Sequence, residues 1–198
     1  MMHTAATTES HMEHLSIEEM PSPVGTIVLV SDDRALVALD FGDYDARMTR
    51  LLATRLGSVS LVAGKAASNA ARRLTDYLAG DITAVDGLAV RTGGTPFQRI
   101  VWAALRTIPA GGTLSYGALA QRIGRPTASR AVGLANSLNP VAIVVPCHRV
   151  IGAKGQLTGY AGGLERKRWL LDHERRQTDL FAPTPPADMA VAMAGQSA

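Results

Sequence analysis

A single cysteine, Cys147, stands at the end of an apolar run that covers residues 141–146. The thiolate is the nucleophilic form of cysteine and a free thiol has a pKa of about 8.5, so a cysteine at the end of a buried strand needs a base to ionise. His148 follows directly in the sequence, and Glu174 lies on the last predicted helix, where its carboxylate could orient an imidazole. These residue types indicate a Cys-His-Glu relay of the kind that activates nucleophiles.

Each of these residues also has a purely structural interpretation. Free cysteine is among the most buried residue types and often serves as a small hydrophobe of the core. Adjacent side chains frequently point apart, so His148 could be a buried structural histidine. One cysteine can form no internal disulfide, and there is no cysteine cluster to hold zinc. Cys147 is therefore either a core residue or a reactive thiol.

A glycine-rich segment, residues 159–163, precedes the last predicted helix. Its sequence, Gly-Tyr-Ala-Gly-Gly, could form one wall of a pocket and present backbone N–H groups to a ligand. Glycine-rich turns are common, so this segment indicates little by itself.

Two short helices joined by a glycine-containing turn are predicted upstream of the cysteine. The first has Ser115 as its cap and continues through residue 123, and the second has Thr127 as its cap and continues through residue 138. Such a pair is typical of a helix-turn-helix. A recognition helix usually presents long polar side chains to base edges. Here Arg130 is the only long cation among small residues, which are Ala128, Ala131, Gly133 and Ala135. The helix could lie against a DNA backbone or a shallow groove, or the pair could be structural only.

The elements before residue 92 predict a small α/β domain in which no residue suggests chemistry. Strands are predicted at residues 25–30 and 35–39, which form a hairpin, and at 59–62 and 88–90. Helices are predicted at 46–56 and 68–78. The segment Gly93-Gly94-Thr95-Pro96 interrupts regular structure and marks a boundary. Beyond it the chain is predicted to be mainly helical, with further helices at 97–107 and 164–176. The predicted organisation is a flexible tail (1–14), an α/β domain (15–92), a mainly helical C-terminal domain (95–176) and a disordered tail (177–198).

Charge is distributed unevenly between the two halves of the chain, whose overall net charge is +3. Residues 1–94 carry 8 basic and 12 acidic residues, a net charge of −4, whereas residues 95–198 carry 12 and 5, a net charge of +7. A basic C-terminal half predicts contact with a polyanion, although a solvated basic surface would show the same pattern. No apolar run approaches the ~20 residues of a membrane span. The N-terminus lacks the features of a signal peptide, so we expect a cytoplasmic protein with no membrane contact.

These motifs together resemble the O6-alkylguanine-DNA alkyltransferases, in particular the bacterial single-polypeptide kind. The similarity covers residues 15–176. Pro146-Cys147-His148-Arg149-Val150-Ile151-Gly152 matches the active-site signature of that family. Two further segments match its DNA-binding elements in the right order: Ser115-Tyr116-Gly117 and Ser129-Arg130-Ala131-Val132-Gly133. The resemblance implies a ribonuclease-H-like N-terminal α/β domain and a mainly α, winged-helix C-terminal domain.

The resemblance also implies roles for five residues around the thiol. Cys147 would accept the alkyl group, His148 would take the thiol proton through a bridging water, and Glu174 would hold the imidazole. Asn139 would brace the turn between the recognition helix and the active-site strand. Tyr116 would contact the flipped base and the phosphate and could supply a proton to the leaving guanine.

A second set of roles concerns DNA and the base. Arg130 would fill the gap that the flipped base leaves in the stack, and Ala128, Ala131 and Gly133 would permit a minor-groove approach. The base pocket would be lined by Val150, Tyr160, Ala161 and Ala142. Some relatives have Pro at the position of Ala142 and Ser at that of Ala161, which leaves the range of adducts open.

The implied function is direct-reversal DNA repair in a single, irreversible turnover. The substrate would be O6-alkylguanine, and also O4-alkylthymine, in double-stranded DNA, bound by a monomer that could be cooperative on DNA. We expect no cofactor. Some relatives hold zinc with N-terminal cysteines, which this chain lacks, and His3, His11 and His14 lie in or near the predicted tail, so we expect no metal. The alternative is a non-catalytic sensor that binds alkylated DNA and recruits repair factors. Relatives of that kind carry Trp at the cysteine position, so Cys147 argues against it.

Overall fold

The computed structural model describes residues 12–64 and 68–181, and the predictions for His3, His11 and the far C-terminus fall outside these ranges. A four-stranded sheet in the order β3-β2-β1-β4 forms the N-terminal domain. Its strands are β1 (Glu13–Met20), β2 (Ile27–Ser31), β3 (Leu36–Phe41) and β4 (Val59–Ala63). β1 pairs antiparallel with β2 and parallel with β4, and β2 pairs antiparallel with β3. Its helices are α1 (Asp45–Leu56) and α2 (Asn69–Ala79).

The strands β2 and β3 are buried on both faces, which explains their nearly continuous apolar sequences. Alternate residues of a strand point to opposite faces of the sheet. On one face, Val28 and Val30 pack with Met48 and Leu52 of α1. The side chains of the other face belong to the larger core, which the C-terminal domain shares: Ile27, Leu29, Leu39 and Phe41. The sheet is therefore a layer between α1 and the C-terminal domain.

Two predictions for the N-terminal domain were wrong. β1 was missed and its first residues were assigned to a flexible tail, because polar residues fill most of the strand and only Leu15 is fully buried. Its pairing on both sides, rather than its own pattern, makes it a strand. The predicted strand at 88–90 is reduced to an isolated bridge between Val90 and Leu36.

The C-terminal domain contains α3 (Pro96–Leu105), α4 (Tyr116–Arg122), α5 (Ser129–Ser137) and α6 (Leu164–Phe181). Two short strands, β5 (Leu114–Ser115) and β6 (Val150–Ile151), pair in parallel. Thr95 caps α3 with a reciprocal capping box, and Ser115 caps α4 as predicted. Thr127 is not the cap of α5. The residue at the cap position is Ala128. Its backbone N–H donates to the Arg125 carbonyl, and its side chain makes no capping hydrogen bond. The last helix continues through Phe181, so the predicted disordered tail does not begin at residue 177.

The apolar run before Cys147 is not the predicted strand. Val141 forms one isolated bridge with Leu39, and the chain then turns, with Val145 N–H donating to the Val141 carbonyl at 2.9 Å. Ile143 has a φ of 67°, which is unfavourable for a β-branched residue, and Pro146 precedes a 3-10 helix at Cys147–Arg149. The surrounding structure holds this strained segment because residues 141–145 are all buried.

No helix in the described ranges is long and apolar enough to cross a membrane.

Candidate active site

The Cys147 thiol is buried, with 6% of the residue exposed. The side chain of Asn139 donates a hydrogen bond from Nδ2 to its Sγ at 3.1 Å. Burial raises the pKa of the Cys147 thiol, and the hydrogen bond from Asn139 partly offsets this rise. The N–H donor stabilises the thiolate, whereas the surroundings alone would keep the thiol protonated. The site therefore needs a proton acceptor for the thiol to react.

Asn139 also fixes the strained turn that carries the cysteine. Its Nδ2 donates to the Val145 carbonyl at 2.7 Å, and its Oδ1 accepts from the Val141 N–H at 3.1 Å. It follows the end of α5, as predicted for a residue that braces the turn behind the recognition helix. One side chain thus links the end of α5, the turn and the sulfur atom.

His148 and Glu174 form a fully buried pair beside the cysteine. His148 Nε2 lies 3.0 Å from Glu174 Oε1, and both side chains are 0% exposed. Burial lowers the pKa of His148, so the imidazole is neutral near pH 7. A neutral imidazole that donates from Nε2 to the carboxylate has an acceptor lone pair on Nδ1. Nδ1 has no hydrogen-bond partner within the part of the chain that the structure describes. Glu174 therefore holds the imidazole of His148 with Nδ1 available as a proton acceptor.

Glu174 is the centre of a larger buried network. Its carboxylate accepts from the Tyr77 hydroxyl at 2.7 Å, from the Gly111 N–H at 3.0 Å and from Arg149 Nη2 at 2.7 Å. Burial alone would raise the pKa of Glu174, but His148 and Arg149 outweigh it and hold this pKa well below its usual range. The group is thus a carboxylate at any pH near neutrality. Arg149 continues the network by donating from Nη1 to the Ile108 carbonyl at 2.6 Å.

Sequence reasoning gave no role to three residues of the site: Tyr77, Arg149 and Lys167. Lys167 is fully buried on α6, and its Nζ donates to the Val150 carbonyl at 2.6 Å and the Thr158 carbonyl at 2.7 Å. Burial lowers the pKa of Lys167 to about 8. The spacing of the sequence could have identified Lys167, because it precedes Glu174 by two helical turns and therefore lies on the same face of α6. Tyr77 offered no signal, since its position on α2 predicts a core aromatic.

A cavity of about 610 Å³ opens beside the thiol. Its walls come from α5, from the glycine-rich segment and from Tyr116; the lining residues are Tyr116, Ser129, Arg130, Gly133, Asn136, Ser137, Cys147, Thr158, Gly159, Tyr160 and Ala161. The structure thus brings together Cys147, Arg130, Gly133, Tyr160 and Ala161. The other two predicted pocket residues, Val150 and Ala142, are buried in the core and do not line this cavity. Ala128, at the cap position of α5, and Ala131, on α5, lie outside it.

Tyr116 connects the helix-turn-helix to the glycine-rich segment. Its hydroxyl lies 3.4 Å from the carbonyl oxygens of Thr158 and Gly159, and an added Cβ at Gly133 would be 3.8 Å from its ring. Burial raises the pKa of Tyr116, so the hydroxyl keeps its proton and can act as a donor. Glycine is required at Gly162, where a Cβ would lie 2.3 Å from the Phe41 ring. The glycine-rich segment can therefore pack closely against β3.

Two family descriptions match the chain. Residues 17–92 match the ribonuclease-like domain of 6-O-methylguanine DNA methyltransferase, and residues 96–176 match its DNA-binding domain. The chain belongs to the 6-O-methylguanine DNA methyltransferase family. The family resemblance and the fold class that the sequence predicted are thereby confirmed.

Similar proteins within the methyltransferase family cover nearly the whole chain. The methylated-DNA–protein-cysteine methyltransferase of Salmonella typhimurium is 48% identical over 166 residues, which are 82% of this chain and 97% of that protein. The protein of the same name from Mycolicibacterium paratuberculosis is 48% identical over 157 residues, or 79% and 90%. The crystal structure of Mycobacterium tuberculosis O6-methylguanine methyltransferase matches with a TM-score of 0.68 and 41% identity, over 90% of this chain and 98% of that one. Mycobacterium tuberculosis OGT in complex with DNA matches with a TM-score of 0.69, 40% identity and coverage of 90% and 99%. The names of these relatives support the predicted methyltransferase over the predicted alternative, a non-catalytic sensor.

Proposed function

We propose that this chain repairs O6-alkylguanine in double-stranded DNA by moving the alkyl group to Sγ of Cys147. The observation that carries the proposal is the buried thiol, which borders the cavity and accepts a hydrogen bond from Asn139, next to the neutral His148 and its carboxylate partner Glu174. This arrangement provides a nucleophile, a base and a partner that orients the base. A sensor would need none of the three.

The reaction is a displacement at the alkyl carbon. The C–O6 bond breaks, a C–S bond forms and the product is a thioether. The thiol proton leaves through a bridging water to Nδ1 of His148, whose Nε2 stays bound to Glu174. Tyr116, which burial keeps protonated, supplies a proton to the departing guanine. None of these residues can cleave a thioether, so each molecule acts once and no cofactor is needed.

DNA is bound through α4 and α5, and the damaged nucleotide is extruded into the cavity. A base in a duplex cannot reach a buried thiol, and extrusion costs a few kcal/mol. Arg130 is exposed at the cavity on α5, where its side chain can occupy the space left in the stack. Small residues at the start of α5 and along it, Ala128, Ala131 and Gly133, allow close approach along the minor groove. A monomeric state in solution, cooperativity on DNA, a cytoplasmic location and the repair of O4-alkylthymine stay predictions.

Stoichiometry tests this function directly. The protein is mixed with increasing amounts of a duplex that contains one O6-methylguanine, and the repaired DNA and the intact protein mass are both measured. We expect repaired DNA to stop at one equivalent of active protein and the protein to gain the mass of one methylene, located at Cys147. Cys147→Ser should bind the same duplex without transfer, because a hydroxyl is a far weaker nucleophile at neutral pH. Product that continues to form beyond one equivalent would refute the suicide mechanism, and an unchanged mass with intact binding would favour the sensor.

A further inference from the structure

Buried polar atoms without partners are concentrated at the cavity. Within the described residues, six buried side-chain nitrogen and oxygen atoms have no hydrogen-bond partner. Four of them belong to residues that line the cavity: Nδ2 and Oδ1 of Asn136, Oγ1 of Thr158 and the hydroxyl of Tyr160. A fifth is Nδ1 of His148, the proton acceptor of the relay. Folded proteins satisfy most of their buried polar groups, so this concentration needs an explanation.

Asn136 is the clearest case, because the whole carboxamide is without a partner and the residue is only 6% exposed. Asn139, three residues later, offers a comparison within the same chain. Every polar atom of that side chain is used by the turn or by the sulfur. The protein therefore satisfies one buried asparagine near the thiol and leaves the other free, which indicates that Asn136 has no structural task to perform.

The position of Asn136 on α5 places it at the wall of the cavity. The α5 residues that line the cavity are Ser129, Arg130, Gly133, Asn136 and Ser137. Their spacing follows the helical period, so they form one face. Arg130 lies near the beginning of that face, Asn136 near its end, and the thiol borders the same cavity. Thr158 comes from a different element, the segment before Gly159, and is held there because its carbonyl accepts a hydrogen bond from Lys167 Nζ.

We infer that Asn136, assisted by Thr158, is a base-binding residue that hydrogen-bonds the polar edge of the extruded nucleotide's base. A carboxamide offers one acceptor and two donors, and a hydroxyl offers both functions. The edges of a nucleobase present donors and acceptors side by side, so these groups can match them. Entry of the base gives the unpartnered atoms the hydrogen bonds that the protein does not supply. This inference rests on the proposed function, because it assumes that an alkylated base enters the cavity.

Asn136→Leu and Thr158→Val test the inference, because both keep the approximate volume and remove the hydrogen-bonding atoms. Single-turnover transfer to Cys147 is measured from a duplex with O6-methylguanine and from the free O6-methylguanine base. Iodoacetamide labelling of Cys147 reports thiol reactivity without a base. Asn69→Leu, at an exposed position on α2, is the matched control.

We expect Asn136→Leu to slow transfer about tenfold on duplex and free base alike, in line with the loss of one hydrogen bond in a buried site. Thr158→Val should slow transfer several-fold on both substrates. Iodoacetamide labelling should equal that of the wild type. The midpoint of urea unfolding should not fall for either variant. It should rise for Asn136→Leu, because burying an unpaired amide costs free energy and burying an apolar side chain does not.

Several outcomes would overturn the inference. Transfer from the free base at the wild-type rate would show that Asn136 contacts the DNA backbone or nothing, and slower iodoacetamide labelling would place its effect on the thiol. A lower unfolding midpoint would mean that the amide is used by the fold; if Asn136→Leu fails to fold, Asn136→Ala, which adds no bulk, is judged by the same criteria. Transfer by the wild-type protein distinguishes this inference from the proposed function. If the proposed function is wrong, the wild type transfers no methyl group to Cys147; if only this inference is wrong, the wild type still does.

Discussion

Replacing Glu174 with Gln keeps the shape of the side chain and removes its charge. The carboxylate now accepts hydrogen bonds from Tyr77, Gly111, His148 and Arg149. The amide of glutamine has only one acceptor oxygen. Its NH₂ group would face at least one of these donors, and that donor would lose its hydrogen bond. Arg149, with a side chain 4% exposed, would lose the charge that compensates it. The change therefore breaks a buried ion pair and an activating contact together.

The magnitude follows from the ion pair. Removing one partner of a buried pair costs about 3–5 kcal/mol, a large part of the ~5–15 kcal/mol that stabilises a typical domain. We expect Glu174→Gln to remain folded at 25 °C with an unfolding free energy lower by that amount. Glu165→Gln, at an exposed position in the first turn of α6, is the matched control and should change stability by no more than about 0.5 kcal/mol.

The stability difference should depend on pH in a defined direction. The folded-state pKa of Glu174 lies well below its ordinary value of 4.5, so its contribution is complete above that value and is lost as the pH falls. Urea unfolding of wild type and variant should give a constant difference between pH 6 and 8. The difference should shrink steadily below about pH 4.5. A difference that stays constant in acid would mean that Glu174 is not the ionised centre of this network.

The rate of transfer provides the functional test. Without the carboxylate, His148 loses its orienting partner and becomes a weaker base, so more of the reaction depends on direct ionisation of the thiol. Loss of general-base assistance is worth on the order of 10²-fold or more. We therefore expect slower single-turnover transfer with a pH dependence moved upward, measured where both proteins are fully folded. An unchanged rate–pH profile alongside lower stability would refute the relay and leave Glu174 as a structural residue.

Two further predictions concern Arg130 and the buried Lys167. Arg130→Ala should slow transfer from duplex DNA far more than from free alkylguanine base, because only the duplex requires extrusion; equal fractional losses in single-turnover assays would refute this role, because the free base has neither a stack to fill nor a phosphate to contact. The unfolding free energy of the wild type should rise relative to Lys167→Met between pH 8 and 10.5, by up to about 3 kcal/mol, because burial places the folded pKa of Lys167 at about 8 and its unfolded value is 10.5. The buried tyrosines titrate in both proteins and cancel in that difference, and Lys154→Met, at an exposed position, should track the wild type. A flat difference across this range would show that burial does not lower the pKa of Lys167.

The features that could be predicted from sequence are those fixed by local chemistry. Apolar spacing is sufficient for the hairpin of β2 and β3 and for the helices. Thr95 and Ser115 are recognisable as caps because a hydroxyl before a helical pattern satisfies its first free N–H groups. The relay was predicted because the residue types Cys, His and Glu have few other joint uses. His148 and Glu174 form the expected pair in the structure, although the roles given to them stay predictions.

The features that could not be predicted depend on contacts between distant segments. β1 has a polar sequence and becomes a strand through two neighbours. The run before Cys147 has the composition of a strand, but the φ of Ile143 and the hydrogen bonds of Asn139 fold it into a turn. Arg149 and Lys167 look like solvated cations in the sequence. They are buried because a carboxylate and backbone carbonyls, brought together by the fold, replace their water.

The N-terminal domain, in which the sequence suggested no chemistry, supplies three supports to the site. Tyr77 donates to the Glu174 carboxylate, and Arg47 donates to the backbone carbonyl of Asn139 at 2.9 Å. Phe41 packs against the glycine-rich segment at Gly162, where no side chain would fit. Each support reaches a group behind the thiol or the cavity, and none of the three lines the cavity itself. A site that must hold a strained turn and a buried carboxylate needs rigid surroundings, because a small displacement of a reacting group is costly in rate. The ribonuclease-like domain therefore forms the rear wall of the candidate active site.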